Sequence, residues 1–476
     1  MNLQIEPPKR SYRTDVVIVG NDSAALLAAI RARNIGLEVT LLHSFAGHGE
    51  GLLWIPQDYA SARNYLDQVL GSATSEQAAQ RHALLQTAAK LPQVFEELEI
   101  RLSETKIPDH YPSLPDATTG RVYRAGYKEM FVNLSAKFFD SDPLDVLLSS
   151  KAAEKEATIW GIDGLLDLVW RDDRVVGVTA KREGETVLIE ASFGVIFADG
   201  GFGSNPKLRR QYLPGTRAEQ QISEDDGGQV LEVALGHGID LGSMRFSWKT
   251  VGMQDPVSCQ WVDATEAVRA PHSLLVDTSG KRFCAESEPT EQIANRLGGR
   301  SAWLILDSKH RRSVALGALE PGRVARRVLA SGLLRKAKTF GELAELIHVD
   351  AQTLEETVER FNQLAKSGVD EDFGRDWRAN AKTSVARAAI SALGSLRRFG
   401  QLEKAPFYAI EIRACDLATK GGLLVDGWRR ALRDGKPVEG LYAIGSAAAS
   451  ITDERSPGPG FRTTEALCGA LQIDFG

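Results

Sequence analysis

The sequence predicts an α/β protein: a Rossmann-like domain that opens the chain, is interrupted by an inserted α+β domain, and is completed by the C-terminal stretch. Three observations carry this expectation. Thr14–Ser44 runs from apolar strand through tight turn and amphipathic helix to a second apolar strand, which is the grammar of a βαβ unit. Leu165–Ala198 reads as successive strands that lead into Asp199-Gly200-Gly201-Phe202-Gly203, a turn where adjacent glycines permit close backbone approach. After a long stretch of different texture, the chain returns at Gly421 to strands separated by glycine turns.

In chain order, Met1–Arg13 is a polar segment with Pro7 and Pro8, expected as a loose arm. The first part of the Rossmann-like domain follows over residues 14–248. Val16–Val19 and Glu38–Leu42 are its first strands and Ser23–Asn34 the helix between them. A dinucleotide-binding turn has the form G-x-G-x-x-G, whose glycines close the bend, admit phosphate to the backbone and let helix pack on strand. Here the six positions are Gly20, Asn21, Asp22, Ser23, Ala24 and Ala25. The first glycine is kept, and Asp22 sets a carboxylate where a diphosphate should approach.

Gly47–Gly51 is a flexible loop before the apolar Leu52–Pro56, and Arg63–Leu70 and Glu76–Leu98 have helical periodicity. Ile107–Pro115 holds three prolines in nine residues, so it is a loop, and it carries His110 and Tyr111. Asp172-Asp173 and Glu183-Gly184 are turns of the β meander. Asp226-Gly227-Gly228 opens a helix through Leu235.

The inserted domain spans residues 249–414. Its strands include segments within Ser273–Phe283 and Ser301–Asp307. Its helices include Phe340–Ile347 and Ala351–Ala365, the latter with Asp350 at its N-cap. Residues 415–476 complete the first domain through Gly421–Asp426, Gly440–Gly445, Ser456–Gly460 and a last helix, Thr463–Leu471. A strand that ends at Gly445 before a helical turn presents backbone N–H groups to an electron-rich ligand edge.

The 476 residues, 43% of them hydrophobic, suffice for two or three domains. A net charge of −6 excludes general affinity for nucleic acid or anionic membrane. Cys259, Cys284, Cys415 and Cys468 lie far apart without C-x-x-C spacing, so buried thiols are expected rather than a zinc site or disulfides. No apolar run approaches the length of a membrane span, and a soluble cytoplasmic protein is expected.

Several segments in this order resemble the fumarate reductase and 3-ketosteroid dehydrogenase superfamily of FAD proteins. They are the βαβ opening, Phe197–Pro214, Pro271–Ser287, and APFYAIEIRACDLATKGGLLVD followed by GLYAIG and SPGPG. Arg63–Gly71, Ser301–Arg312 and Thr357–Arg375 place it closer to the ketosteroid dehydrogenases within that superfamily. The resemblance implies a discontinuous FAD-binding domain of glutathione-reductase type and an inserted substrate domain, with the flavin facing the cleft between them. It also implies chemistry on a CH–CH group beside the ketone of a steroid-like or smaller alicyclic substrate. In ketosteroid dehydrogenases a tyrosinate-like base takes a proton beside the ketone while flavin takes hydride, and a second Tyr with a backbone N–H holds the ketone oxygen.

Carried over by position, the acid or base four residues beyond Glu286 of the Arg282-Phe283-Cys284-Ala285-Glu286 motif is Thr290, whose hydroxyl is far too weak an acid to act as Tyr does. The Tyr before the Pro-Gly-x-Gly turn is Ser456, and Gly460, whose N–H would meet the carbonyl, is kept. The supporting Tyr of an Asp-Tyr-x-Pro loop corresponds to His110, an acid or base suited to neutral pH. Tyr111 or Ser456 would supply a further hydrogen bond. Toward FAD the resemblance implies Gly20, Ser23 and Ala24 at the first turn, and His43 in place of the acid that accepts the ribose hydroxyls. It further implies Gly49 and Gly51 in a shortened phosphate loop, Gly200 and Gly201 after Asp199, Gly445 and Ser446, and Gly460, Phe461 and Arg462 beneath the flavin. Two readings stay open: an FAD-dependent dehydrogenase or reductase of a ketone or enone, and a flavin-fold subunit without FAD that partners an active homologue.

Overall fold

The computed structural model describes the chain apart from residues 1–6, 44–50, 127–142, 214–226 and 376–399, and positions 74, 106, 108, 112–113, 118–119 and 323. The chain forms two compact units. One comprises Met1–Leu213, Ser223–Ser247 and Ala418–Gly476, and the other is built on Trp248–Leu417.

The first unit begins with β1 (Arg10–Val19), α1 (Ser23–Asn34), β2 (Val39–His43), β3 (Leu52–Pro56), α2 (Tyr59–Leu70), α3 (Ser75–Ala88) and α4 (Leu91–Glu97). It continues through β4 (Arg101–Glu104), β5 (Gly120–Gly126), α5 (Pro143–Glu154), β6 (Thr158–Gly161), β7 (Gly164–Arg171), β8 (Arg174–Arg182) and β9 (Glu185–Phe197). β1 is central to the main sheet: it pairs in parallel with β2 from Val16↔Val39 and with β9 as far as Val19↔Phe197. Val16, Val17 and Ile18 are fully buried, as a β-branched strand covered on both faces should be. Strand Lys436–Ala443 joins the far side of β9 in parallel, at Leu441↔Val195 to Ala443↔Phe197, so the late segment completes the early sheet. A smaller three-stranded sheet holds β5 between β3 and β4.

Three expectations change here. Residues 10–13, placed in the arm by the sequence, are the first half of β1 and pair with β9 from Arg10↔Val187. The helical stretch Glu76–Leu98 is two helices, because Pro92 in the first turn of α4 has no N–H with which to continue a preceding helix. α1 is not amphipathic: nine of its twelve residues are buried. The sheet covers one side of it, and α5 and the terminal helix Phe461–Gln472 pack against it as well. The small side chains of Ala24, Ala25, Ala28, Ala29 and Ala32 permit that enclosure, and Arg31 Nη1 donates to the carbonyls of Ala470 (2.6 Å) and Ile473 (3.0 Å) of the terminal segment.

The second unit is built on an antiparallel sheet in which Phe407–Thr419 pairs with Ser301–Leu306 and Leu334–Ala337, and Ser301–Leu306 with Ser273–Val276. Helices Phe340–Ile347 and Ala351–Ser367 pack on it, and Asp350 caps the second by accepting from Thr353 N at 2.8 Å. The Arg282–Glu286 motif is tied into this core. Glu286, fully buried, accepts from Arg282 Nη2 (2.8 Å), Arg375 Nη1 (3.0 Å) and Leu275 N (3.0 Å), while Arg282 also pairs with Asp370. Cys284, Cys415 and Cys468 are buried thiols, whereas Cys259 is exposed. Its φ of +62 places it in a turn rather than the core. Among the described residues no His, Cys, Asp and Glu cluster could hold a metal, and no helix is long and apolar enough to cross a membrane.

Candidate functional site

The first unit gathers two sets of the sequence-derived positions. The first surrounds the turn after β1. Gly20 has φ +136, and a Cβ there would lie 2.7 Å from Asp199 N, so the ends of β1 and β9 meet at backbone distance and only glycine fits. Gly200 closes equally on Ala447, with a Cβ reaching 2.7 Å from its Cα. Gly445, at φ +56, opens the single helical turn Gly445–Ala447 that contains Ser446. His43 ends β2 against Gly161 of β6, Gly201 is buried after β9, and Gly51 precedes β3 at φ +61. Gly49 lies outside the described residues.

Asp22 sits in the middle of this set. It is the N-cap of α1, with Oδ1 accepting from Ala25 N at 2.9 Å, and so satisfies one of the N–H groups that a helix start leaves unpaired. Its Oδ2 points toward the Gly445 turn, 3.1 Å from where a Cβ on Gly445 would be. Burial, and then the negative charge of Asp199, push this carboxyl up to about 7, against the pull of the Ala25 and Ala24 N–H groups and of Arg462. Next to it the Ser23 hydroxyl hydrogen-bonds Asp145 of α5.

The second set lies where the loop around His110 meets the Ser456–Gly460 turn. His110 N donates to Pro457 O (3.2 Å), and His110 Nδ1 lies 3.2 Å from Ser456 O. A carbonyl only accepts, so Nδ1 carries the proton and Nε2 is the basic nitrogen of the neutral ring. Ser456 is buried, Tyr111 half-buried, and Tyr65 OH donates to Pro457 O at 2.6 Å. Gly460 (φ +81) is the N-cap of the terminal helix, which begins with no side-chain cap, and a Cβ at this position would lie 2.6 Å from Leu53 N. Phe461 is buried edge-on to Trp54, with ring centroids 5.5 Å apart.

Asp109, which the sequence does not single out, is the buried acid of this set. Trp54 Nε1 donates to its Oδ1 at 2.9 Å, and its Oδ2 has no hydrogen-bond partner among the described residues. Burial pushes this carboxyl up to about 8, so it is mostly protonated at neutrality. Asp109 was legible as the residue before His110, but only the fold brings the Trp54 indole, 55 positions away in the chain, against it.

Thr290 belongs to the other unit. It starts the helix Thr290–Leu297, and its hydroxyl lies 3.3 Å from Thr250 Oγ1, whose proton is donated to Asp263 Oδ2 (2.6 Å). Within its own unit it is one of a group of hydrogen-bonded hydroxyls around an acid.

The family described as FAD binding domain matches residues 15–462. The chain is 34% identical to the 3-oxosteroid 1-dehydrogenase of Mycolicibacterium smegmatis in an alignment of 320 positions that covers 62% of this chain but only 55% of that protein. It is 27% identical to the 3-oxosteroid 1-dehydrogenase of Mycobacterium tuberculosis over 94% of this chain and 95% of that one. Its fold matches that of the 3-ketosteroid delta1-dehydrogenase from Sterolibacterium denitrificans, solved with 1,4-androstadiene-3,17-dione, with a TM-score of 0.84, 23% identity and coverage of 97% and 98% of the two chains.

Proposed function

We propose, from the premise that this chain belongs to the FAD binding domain family and is an FAD-dependent oxidoreductase, that it acts on a CH–CH group beside the ketone of a steroid-like or smaller alicyclic substrate. The observation that carries the proposal is the second residue set. A histidine whose Nδ1 faces a carbonyl, and a buried carboxyl whose burial favours its protonated form, flank a helix start whose N–H groups no side chain caps. Chemistry beside a ketone needs a proton acceptor or donor and a positive seat for the oxygen, and this set offers both.

The first set decides whether the cofactor fits. Gly20, Gly200 and Gly445 bring backbone close together where a dinucleotide is held, and the positive end of the terminal helix suits the electron-rich edge of a flavin. Ser23, Ala24, Gly201, Ser446 and Arg462 would complete the hold. The diphosphate fits this seat when Asp22 is neutral and opposes it when Asp22 is ionised. When bound, FAD supplies hydride transfer. Within the protein, His110 Nε2 takes or returns the proton beside the ketone, Asp109 keeps a proton close by, and Gly460 N–H holds the ketone oxygen, with Ser456 or Tyr111 as the second donor.

Purified full-length protein should be yellow, absorbing near about 450 nm, or become so on reconstitution with FAD, and should pass electrons from a 3-oxosteroid or cyclohexanone-type substrate to a dye. Colourless protein that takes up no FAD would overturn this reading in favour of a structural subunit that partners an active flavoprotein. Asp22 and Asp199 at the diphosphate turn are the observation that makes such an outcome worth testing.

A further inference from the structure

We propose that Asp22 is a built-in occupant of the anion seat at the start of α1, and that the FAD diphosphate enters as this carboxylate takes up a proton from solvent and yields its place at the helix end. The inference rests on the FAD reading above and adds a linkage that the reading does not contain.

Position is the first support. A helix start offers a few N–H donors and a positive end, and a bound phosphate or a capping carboxylate can use them in turn. Here the chain supplies its own carboxylate, with Asp22 Oδ1 on Ala25 N at 2.9 Å. It stands at the second glycine position of the turn, where phosphate would otherwise meet backbone.

The surroundings are the second. Oδ2 faces the Gly445 turn, so the side chain reaches across from the first turn to the late segment. The charged groups about it are Asp199 at the end of β9, Arg462 on the terminal helix and Asp145 of α5, which is bonded to the neighbouring Ser23. One cation stands among three negative groups once Asp22 itself is ionised, and a diphosphate would add two more charges. Like charges gathered this closely repel, and protonation of the carboxyl that faces the others relieves that repulsion.

The carboxyl's rise to about 7 brings that relief within the neutral range. The diphosphate favours the protonated form, so affinity falls as pH rises. For a group that titrates near 7, the neutral fraction, and with it the affinity, drops about tenfold from pH 6 to pH 8.

FAD titration of the full-length protein, followed by flavin fluorescence, tests this. The wild type should bind about tenfold more weakly at pH 8 than at pH 6. Asp22→Asn keeps an oxygen for the Ala25 N–H, so it should fold, bind more tightly at pH 8 and show no pH slope. Calorimetry on the unaltered protein in two buffers of different ionisation enthalpy should count close to one proton taken up per FAD at pH 8. A flat wild-type profile, an equal slope in Asp22→Asn, or no proton uptake overturns the proposal and leaves the FAD reading standing. Failure of both proteins to bind FAD at any pH overturns the FAD reading and this inference with it.

Discussion

His110 is held at two points, by its own N–H on Pro457 O and by Nδ1 on Ser456 O, and these bonds determine which ring nitrogen can exchange a proton. His110→Ala should therefore lower turnover by about 100-fold or more while changing KM little, as loss of a proton-transfer group does. Steady-state kinetics with a 3-oxosteroid would check this, and a change confined to KM would make His110 a binding residue. Such a role was partly legible in the sequence, since a loop rich in proline had to expose its side chains. The tautomer was not legible, because it depends on a carbonyl 346 positions away. Asp22 shows the opposite balance. Its place in the glycine turn was plain from spacing, and so was its conflict with phosphate, whereas its service as the cap of α1 needed the backbone geometry.

Local pattern predicts the secondary-structure elements where local pattern decides them. The turns at Asp172 and Glu183 both show positive φ, and Asp350 caps its helix as expected. Pattern failed where distant packing decides: α1 reads as amphipathic yet is enclosed, because the cover on its outer side comes from a helix at the other end of the sequence. The start of that terminal helix is the element most exposed to a single change. Gly460→Ala would place a methyl 2.6 Å from the backbone nitrogen of Leu53 at φ +81, so β3 or the helix start must shift. The expected result is a loss of at least about 1 kcal/mol in stability together with weaker FAD binding, measured by denaturation and flavin titration. In the other unit, Arg375→Met should cost about 3–5 kcal/mol by denaturant unfolding, since it leaves part of the buried Glu286 charge uncompensated.

At the scale of the whole molecule, three acids whose protonated forms the fold favours act on stability in one direction. Asp22 and Asp109 are pushed up to about 7 and about 8, and burial raises Glu465 as well. Their folded forms keep protons that the unfolded chain has lost, so each contributes stability at low pH that disappears as pH rises through the folded value. Asp370, held down by Arg282, works the other way and loses its contribution in acid. Full-length protein without added FAD should therefore melt at its highest temperature near pH 5 and progressively lower up to pH 8. Asp22→Asn and Asp109→Asn together should flatten that decline, and a melting temperature that rises over the same interval would contradict the assignment. The interrupted order of the first unit bears on how the chain is made. Strand Lys436–Ala443 completes the sheet beside β9, and Arg31 waits for the carbonyls of Ala470 and Ile473. On the ribosome, the continuous stretch Trp248–Leu417 emerges whole and can condense early, while the first-made βαβ segment keeps one side of its alanine-lined helix uncovered until Phe461–Gln472 has been made. Chaperone demand in the cell should follow from that delay.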